Sequence, residues 1–271
     1  MVSRRSDLLR IDYAFSVIVP CLFAIYYNHY NLLSHIDIIF GFLLYAITGN
    51  TLNDAIDMRD PHEVETLERT KGFHWKEILA IGIIAFMFGS MLFVRTIKEH
   101  PINGLLLFLT IVLVILYCLK KAIPILNQIL LGISHIIFPY LMIQVDAGAD
   151  PLISSGEWFL MLTFLSFAFS GQIVHEIIDG DAITRLSLAN QQKVVIISSI
   201  ITIILGMCVV VYLQDIYFLP LVLIPLGSIY TFRRPTKSTQ GVKDVGIVMG
   251  NIILFYFLVL IIQHMMADGM L

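Results

Sequence analysis

The chain has 271 residues, 58% of them hydrophobic and 14% charged, with a formal net charge of −3 and a mean hydropathy of +0.86. A soluble domain carries about 25% charged residues, and one soluble core of this length could not bury so much apolar surface, so the composition points to a bilayer. The small negative charge leaves no basic field for nucleic acid.

Apolar stretches fall near residues 11–28, 37–57, 77–95, 102–119, 122–145, 157–179, 193–213, 216–232 and 243–266. Most approach the roughly 20 residues that a helix needs to cross a membrane. The expected fold is therefore an all-α polytopic membrane protein of about nine transmembrane helices. The short gap between the third and fourth stretches leaves eight as the alternative. No A-x-A-like site follows the first stretch, which argues against a cleaved signal peptide. Cys21, Cys118 and Cys208 lie in or beside apolar stretches without CxxC or Cys/His spacing, so neither a disulfide framework nor a zinc site is expected.

With nine spans, one side of the membrane holds the N-terminus and the loops after spans two, four, six and eight. All but Arg95 and Lys98 of the 17 basic residues fall there. The positive-inside rule then makes the N-terminus cytoplasmic and the C-terminus external.

The second and sixth spans end alike. Gly49-Asn50-x-x-Asn53-Asp54-x-x-Asp57 aligns with Gly171-Gln172-x-x-His175-Glu176-x-x-Asp179, 122 residues later. Leu116-Tyr117-Cys118-Leu119-Lys120-Lys121, after span four, aligns with Ile229-Tyr230-Thr231-Phe232-Arg233-Arg234, after span eight. These matches predict two parallel four-helix repeats, about 1–121 and 122–234, plus a final helix at 243–266, all within one transmembrane domain. Parallel repeats put both acidic ends on one face.

Asn50, Asn53, Asp54 and Asp57 are spaced i, i+3, i+4, i+7, as are Gln172, His175, Glu176 and Asp179, so each set forms one polar stripe on the last two turns of its helix. Carboxylates at helix ends can simply mark the membrane interface, and carboxylates within spans can relay protons or ions. Two stripes at matching offsets fit divalent-metal binding best, because magnesium takes hard oxygen ligands and shares its shell with phosphate. Arg69 and Lys71 follow the first stripe and Arg185 the second; Lys120, Lys121, Arg233 and Arg234 share that side. They suit the remaining phosphate charge, or serve only as positive-inside signals.

Asn53-Asp54-Ala55-Ile56-Asp57 resembles the first aspartate-rich motif, N-D-x-x-D-x-x-x-D, of the UbiA superfamily of intramembrane prenyltransferases. His175-Glu176-Ile177-Ile178-Asp179-Gly180-Asp181 resembles the second motif, and Tyr117-Cys118-Leu119-Lys120-Lys121 with Pro124 and Gly132 the family's tyrosine-and-basic segment. Pro61 stands where the first motif's last aspartate would fall, with Asp60 one residue earlier. Ile183 stands at the corresponding place in the second motif, with Asp181 two residues earlier.

The resemblance implies a prenyl diphosphate donor, a lipophilic or aromatic acceptor, surrounding membrane lipid, and Mg²⁺ as cofactor. It implies catalytic roles for Asp54, Asp57, Glu176 and Asp179, which with Asp60 and Asp181 form the expected metal set. Asn50, Asn53, Arg69, Lys71, Tyr117, Lys120, Lys121, Gln172, His175 and Arg185 are the expected substrate contacts. Gln128, Gly132 and His135, at i, i+4 and i+7 on span five, form a small polar stripe that suits the acceptor or simply helix packing. Tyr117 and Phe167 are candidates to face a carbocation. Prenyl transfer is the leading reading. Terpene cyclisation on the same fold, transfer of another activated diphosphate such as a phosphoribosyl group, and an ion or metabolite transporter are the alternatives. The outer halves of the spans are nearly uniformly apolar, which disfavours transport.

Overall fold

The apolar runs fold as helices whose ends fall where the sequence becomes polar or meets a helix breaker. The computed structural model describes residues 8–61, 63–120, 123, 125–149, 154–179, 183, 186–223, 225–232 and 241–269, with the backbone alone at 64, 65, 120, 175, 178, 179, 230–232 and 241–245. Among the described residues there is no strand. The helices are α1 (Phe15–Tyr27), α2 (Ile36–Asp57), α3 (Val64–Arg69), α4 (Trp75–Leu92), α5 (Val94–Glu99), α6 (Pro101–Lys120), α7 (Leu126–Gly132), α8 (Phe138–Asp146), α9 (Ser155–Asp179), α10 (Leu188–Leu213), α11 (Leu219–Leu223), α12 (Pro225–Phe232) and α13 (Gly241–Ala267).

Among the described residues, seven segments are helical over a length and apolarity sufficient to cross a membrane: Leu32–Asp57, Trp75–Leu92, Pro101–Leu119, Leu126–Asp146, Ser155–Val174, Leu188–Leu213 and Gly246–Ala267. The first and eighth expected spans are shorter apolar helical segments, Ile11–Tyr27 and Ile216–Ile229. The third expected span is cut short. Its last residues, Val94 and Arg95, begin the separate helix α5, which runs on to Glu99 and also carries Lys98.

Large apolar side chains cover the outside of the bundle. On α4, Met87, Phe88 and Met91 are 61%, 60% and 70% exposed, a surface that suits lipid and not water. The opposite face of α4 presents Ile78, Gly82, Ala85 and Gly89, all buried. Small residues there let α4 pack closely on α2, as in other membrane helix pairs. A Cβ on Gly89 would sit 2.7 Å from Tyr45 Cδ1 and 3.2 Å from Leu44 Cβ. Gly89→Leu is therefore expected to force α2 and α4 apart and to cost about 1 to 3 kcal/mol; thermal unfolding in detergent measures it, and an unchanged midpoint would contradict the close packing.

α9 and α10 form the other extensive pair, held by hydroxyls. Ser170 Oγ donates to Ser198 Oγ (2.8 Å) and Thr202 Oγ1 to Ser166 Oγ (2.8 Å). The bundle centre is aromatic, with Phe23 packed edge-on against Phe257 at 4.8 Å and Phe164 at 5.2 Å between ring centroids.

The end of the bundle away from the acidic stripes is closed by an ionic cluster. Arg95 donates to Asp37 (2.7 Å), Glu99 (2.9 Å) and Asp146 (3.0 Å), and His35 Nδ1 lies 2.6 Å from Asp146 Oδ2. The bonds to Asp37 foremost, then Asp146, raise the Arg95 guanidinium above its ordinary pKa against the opposing effect of burial. Glu99, His100 and Asp146 bring potential ligand atoms within 4.8 Å of one another, but Arg95 bonds both carboxylates and already supplies the positive charge there.

Candidate active site

α2 ends through two tight turns. Arg59 N–H bonds Ile56 O (3.1 Å) and Asp60 N–H bonds Asp57 O (2.9 Å); Pro61 follows. This ending leaves Asp54 and Asp57 on the last turn, where both point inward: they are 0% and 6% exposed. A buried carboxylate needs compensation, and each finds a different kind.

Asp54 is gripped by Arg69. The guanidinium donates from Nη2 to Oδ1 at 2.7 Å and from Nε to Oδ2 at 3.2 Å, the two-point geometry that makes Arg–carboxylate pairs strong. Arg69 ends the short helix α3, and Thr66 Oγ1 accepts a further bond from it (3.2 Å). Arg10 Nη1 lies 3.9 Å from Asp54 Oδ1. Arg10 has left-handed backbone angles (φ 45°, ψ 42°), and its guanidinium lies over the Tyr13 ring at 4.3 Å. Asp57 accepts from Asn53 Nδ2 (2.8 Å), one turn earlier on the same helix.

Glu176, on the last turns of α9, is 3% exposed and accepts from Gln128 Nε2 on α7 at 2.6 Å. Gly132 permits this approach: a Cβ there would overlap Leu165 of α9. Tyr117, near the end of α6, lies within electrostatic reach of Arg10, Asp57 and Glu176. Both acidic helix ends therefore lie at the end of the bundle where α6 ends, each within electrostatic reach of Tyr117.

Other expected site residues are less central. Asn50 and Gln172 are half-buried one turn before their carboxylates; Asp60 and Lys71 are exposed beyond the ends of α2 and α3. The backbones of Lys120, His175 and Asp179 are helical, but their side chains lie outside the described residues, as do Lys121, Asp181 and Arg185 altogether. Ile183 is buried in an apolar cluster with Ile173, Val174 and Val195.

The expected polar stripe of span five is interrupted. A π-helical turn, Ile133–Ile137, separates α7 from α8 and breaks the regular helical register between Gln128 and His135. His135 Nδ1 pairs locally with Ser134 Oγ at 2.8 Å, while Gln128 turns to Glu176. Phe167 packs beside Phe164 (5.9 Å between centroids) at the edge of the aromatic core.

The donors available at this end fit magnesium. They are carboxylate and amide oxygens, the hard ligands that ion prefers. Two of them, Asn53 Oδ1 and Gln128 Oε1, are buried without a hydrogen-bond partner, and buried carbonyl oxygens are rarely left so unless a cation or water completes them.

Arg10 was not anticipated as part of the site. Its position among the N-terminal basic residues reads only as a topology signal, and its reach to Asp54 depends on a left-handed turn that no residue type there announces.

Two solved structures share the fold. A UbiA homologue from Archaeoglobus fulgidus bound to GPP and Mg²⁺ superposes with a TM-score of 0.66 at 12% identity, over 94% of this chain and 98% of that one. A digeranylgeranylglyceryl phosphate synthase superposes with a TM-score of 0.63 at 14% identity, over 97% of this chain and 96% of that one. No curated protein matches the sequence. Residues 14–252, nearly the whole chain, match the UbiA prenyltransferase family, and together with the buried acidic ends of α2 and α9 this shows that the chain belongs to that family.

Proposed function

We propose that the protein transfers a prenyl group from an allylic diphosphate to a lipophilic or aromatic acceptor within the membrane, with magnesium as cofactor. The observation that carries this reading is the burial of Asp54 and Asp57 at the end of α2 and of Glu176 at the end of α9, each held by an arginine or amide N–H. Family membership and the GPP- and Mg²⁺-bound state of the Archaeoglobus homologue support it.

Asp54, Asp57 and Glu176 would hold the metal, joined by Asp179 one turn beyond Glu176; Asp60 and Asp181 are the further ligands proposed from the sequence. Magnesium, when bound, supplies the positive charge that draws electron density onto the departing diphosphate. Asn53 and Gln128 hold Asp57 and Glu176 in orientation through their amide N–H groups. Arg69 and Arg10, beside Asp54, are placed to share the diphosphate's negative charge, with Lys71, Lys120, Lys121 and Arg185 as further contacts; Asn50, Gln172 and His175 complete the polar surface.

The allylic carbon–oxygen bond breaks with its electron pair leaving on the diphosphate. The acceptor's nucleophile then bonds to the allylic carbon and gives up a proton. Tyr117 and Phe167 offer ring faces to the cation, and the apolar bundle keeps water from quenching it. His135 is the acceptor-side group proposed from the sequence; Gln128, proposed with it there, bonds Glu176 instead.

The distribution of basic residues supports a cytoplasmic N-terminus and a site on that side of the membrane. The two extensive helix pairs, α2 with α4 and α9 with α10, occupy equivalent places in the two sequence halves, which supports a pair of parallel repeats.

Purified protein given Mg²⁺ and a labelled prenyl diphosphate should release diphosphate when, and only when, membrane-derived acceptors are added, and the label should appear in a new lipid. EDTA should stop the reaction. A hydrocarbon product without any acceptor would replace this reading with cyclisation, and ion or metabolite flux across proteoliposomes without diphosphate release would replace it with transport.

A further inference from the structure

The two acidic helix ends use the same device built from different places in the chain. In the first, an amide from within the stripe, Asn53, donates to Asp57 at 2.8 Å and leaves Oδ1 buried without a partner. At the matching offset in the second, the sequence has His175 instead of an amide. Gln128 supplies one from a neighbouring helix: it is 3% exposed, donates to Glu176 at 2.6 Å, and leaves Oε1 buried without a partner.

A carboxylate only accepts, so the NH₂ of each amide must face it and the carbonyl oxygen must turn elsewhere. Amide geometry separates the two atoms by roughly 2.3 Å, which keeps Gln128 Oε1 within roughly 5 Å of the Glu176 oxygen. An unpartnered carbonyl oxygen that close to a buried carboxylate is a second hard donor for one divalent ion. The second stripe is short of such donors, because Ile183 stands where the family pattern has an acid and is buried among apolar side chains.

We propose that Gln128 is a ligand of the metal–diphosphate site at the second stripe, its carbonyl oxygen supplying a donor that residue 183 does not. The proposal rests on the metal reading given above. It makes this half of the site less negative than one closed by a carboxylate, so it should take its ion only together with the diphosphate's own oxygens.

The test is Mn²⁺ binding to the full-length protein in detergent, measured by electron paramagnetic resonance with and without inorganic diphosphate. With diphosphate present, Gln128→Met, close in shape but without the oxygen, should weaken Mn²⁺ binding by about 10- to 100-fold. Gln128→Glu should bind Mn²⁺ at least as tightly as the unaltered protein, with less need for diphosphate, and its melting temperature should rise more steeply with Mn²⁺. Gln128 acting only as a hydrogen-bond donor to Glu176 predicts the reverse for Gln128→Glu, since the N–H is lost and nothing is gained; that result, or unaltered binding in a folded Gln128→Met, would overturn the assignment. Glu176→Gln separates the two readings. If it loses Mn²⁺ while Gln128→Met keeps it, only the role of Gln128 fails; if both keep it, the metal reading fails as well.

Discussion

Replacing Arg69 with methionine should destabilise the protein by about 3 to 5 kcal/mol, the usual cost of leaving one member of a buried ion pair unpaired. Asp54 is fully buried, and Arg69 makes both of the close bonds to it; Arg10, at 3.9 Å, is the more distant cation. Methionine keeps much of the stem's packing and removes the charge. The loss should shrink when Asp54→Asn is combined with Arg69→Met, because the carboxylate that needed the guanidinium is gone. Mg²⁺ should also raise the melting temperature of Arg69→Met more than that of the unaltered protein, a divalent ion standing in for the missing charge. Differential scanning fluorimetry in detergent reads all three. Equal melting temperatures for Arg69→Met and the parent would mean that the pair is not what holds Asp54 inside.

The second large effect is on turnover. Asp57→Asn and Glu176→Gln each change one oxygen to nitrogen with little change of shape, so the fold should survive. Each removes a negative charge from the proposed metal shell. The expected loss in kcat is about 10²- to 10³-fold, or roughly 3 to 4 kcal/mol of transition-state stabilisation, with a higher Mg²⁺ requirement. In Glu176→Gln the new amide's carbonyl oxygen can still accept from Gln128, and in Asp57→Asn it can still accept from Asn53, so hydrogen bonding alone predicts little change. Steady-state diphosphate release across a Mg²⁺ titration distinguishes the two, and variants within twofold of the parent would remove these carboxylates from the chemistry.

The first stripe was legible because its spacing is helical and local. Asn53, Asp54 and Asp57 share a face whenever residues 50–57 are helical, whatever surrounds them. That Asn53 bonds Asp57 follows from the same i, i+4 spacing. The use made of span five was not legible. Gln128 and His135 share a face only on a regular helix, and the π-helical turn at Ile133–Ile137 separates them. Arg69 was legible as a cation near the first stripe, but its fork on Asp54 depends on where α3 docks.

The sequence by itself determined that this is a membrane-embedded helical protein with two acidic helix ends, because hydropathy, helical periodicity and charge distribution are properties of short segments. The tertiary structure alone decided the partners that come from other helices: Arg69 and Arg10 for Asp54, Gln128 for Glu176. The pairings of Asp54 and Glu176 join residues 15, 44 and 48 positions apart, and they depend on close approaches such as that of Gly132 to Leu165. Composition and spacing locate the charges; packing between helices chooses which of them meet.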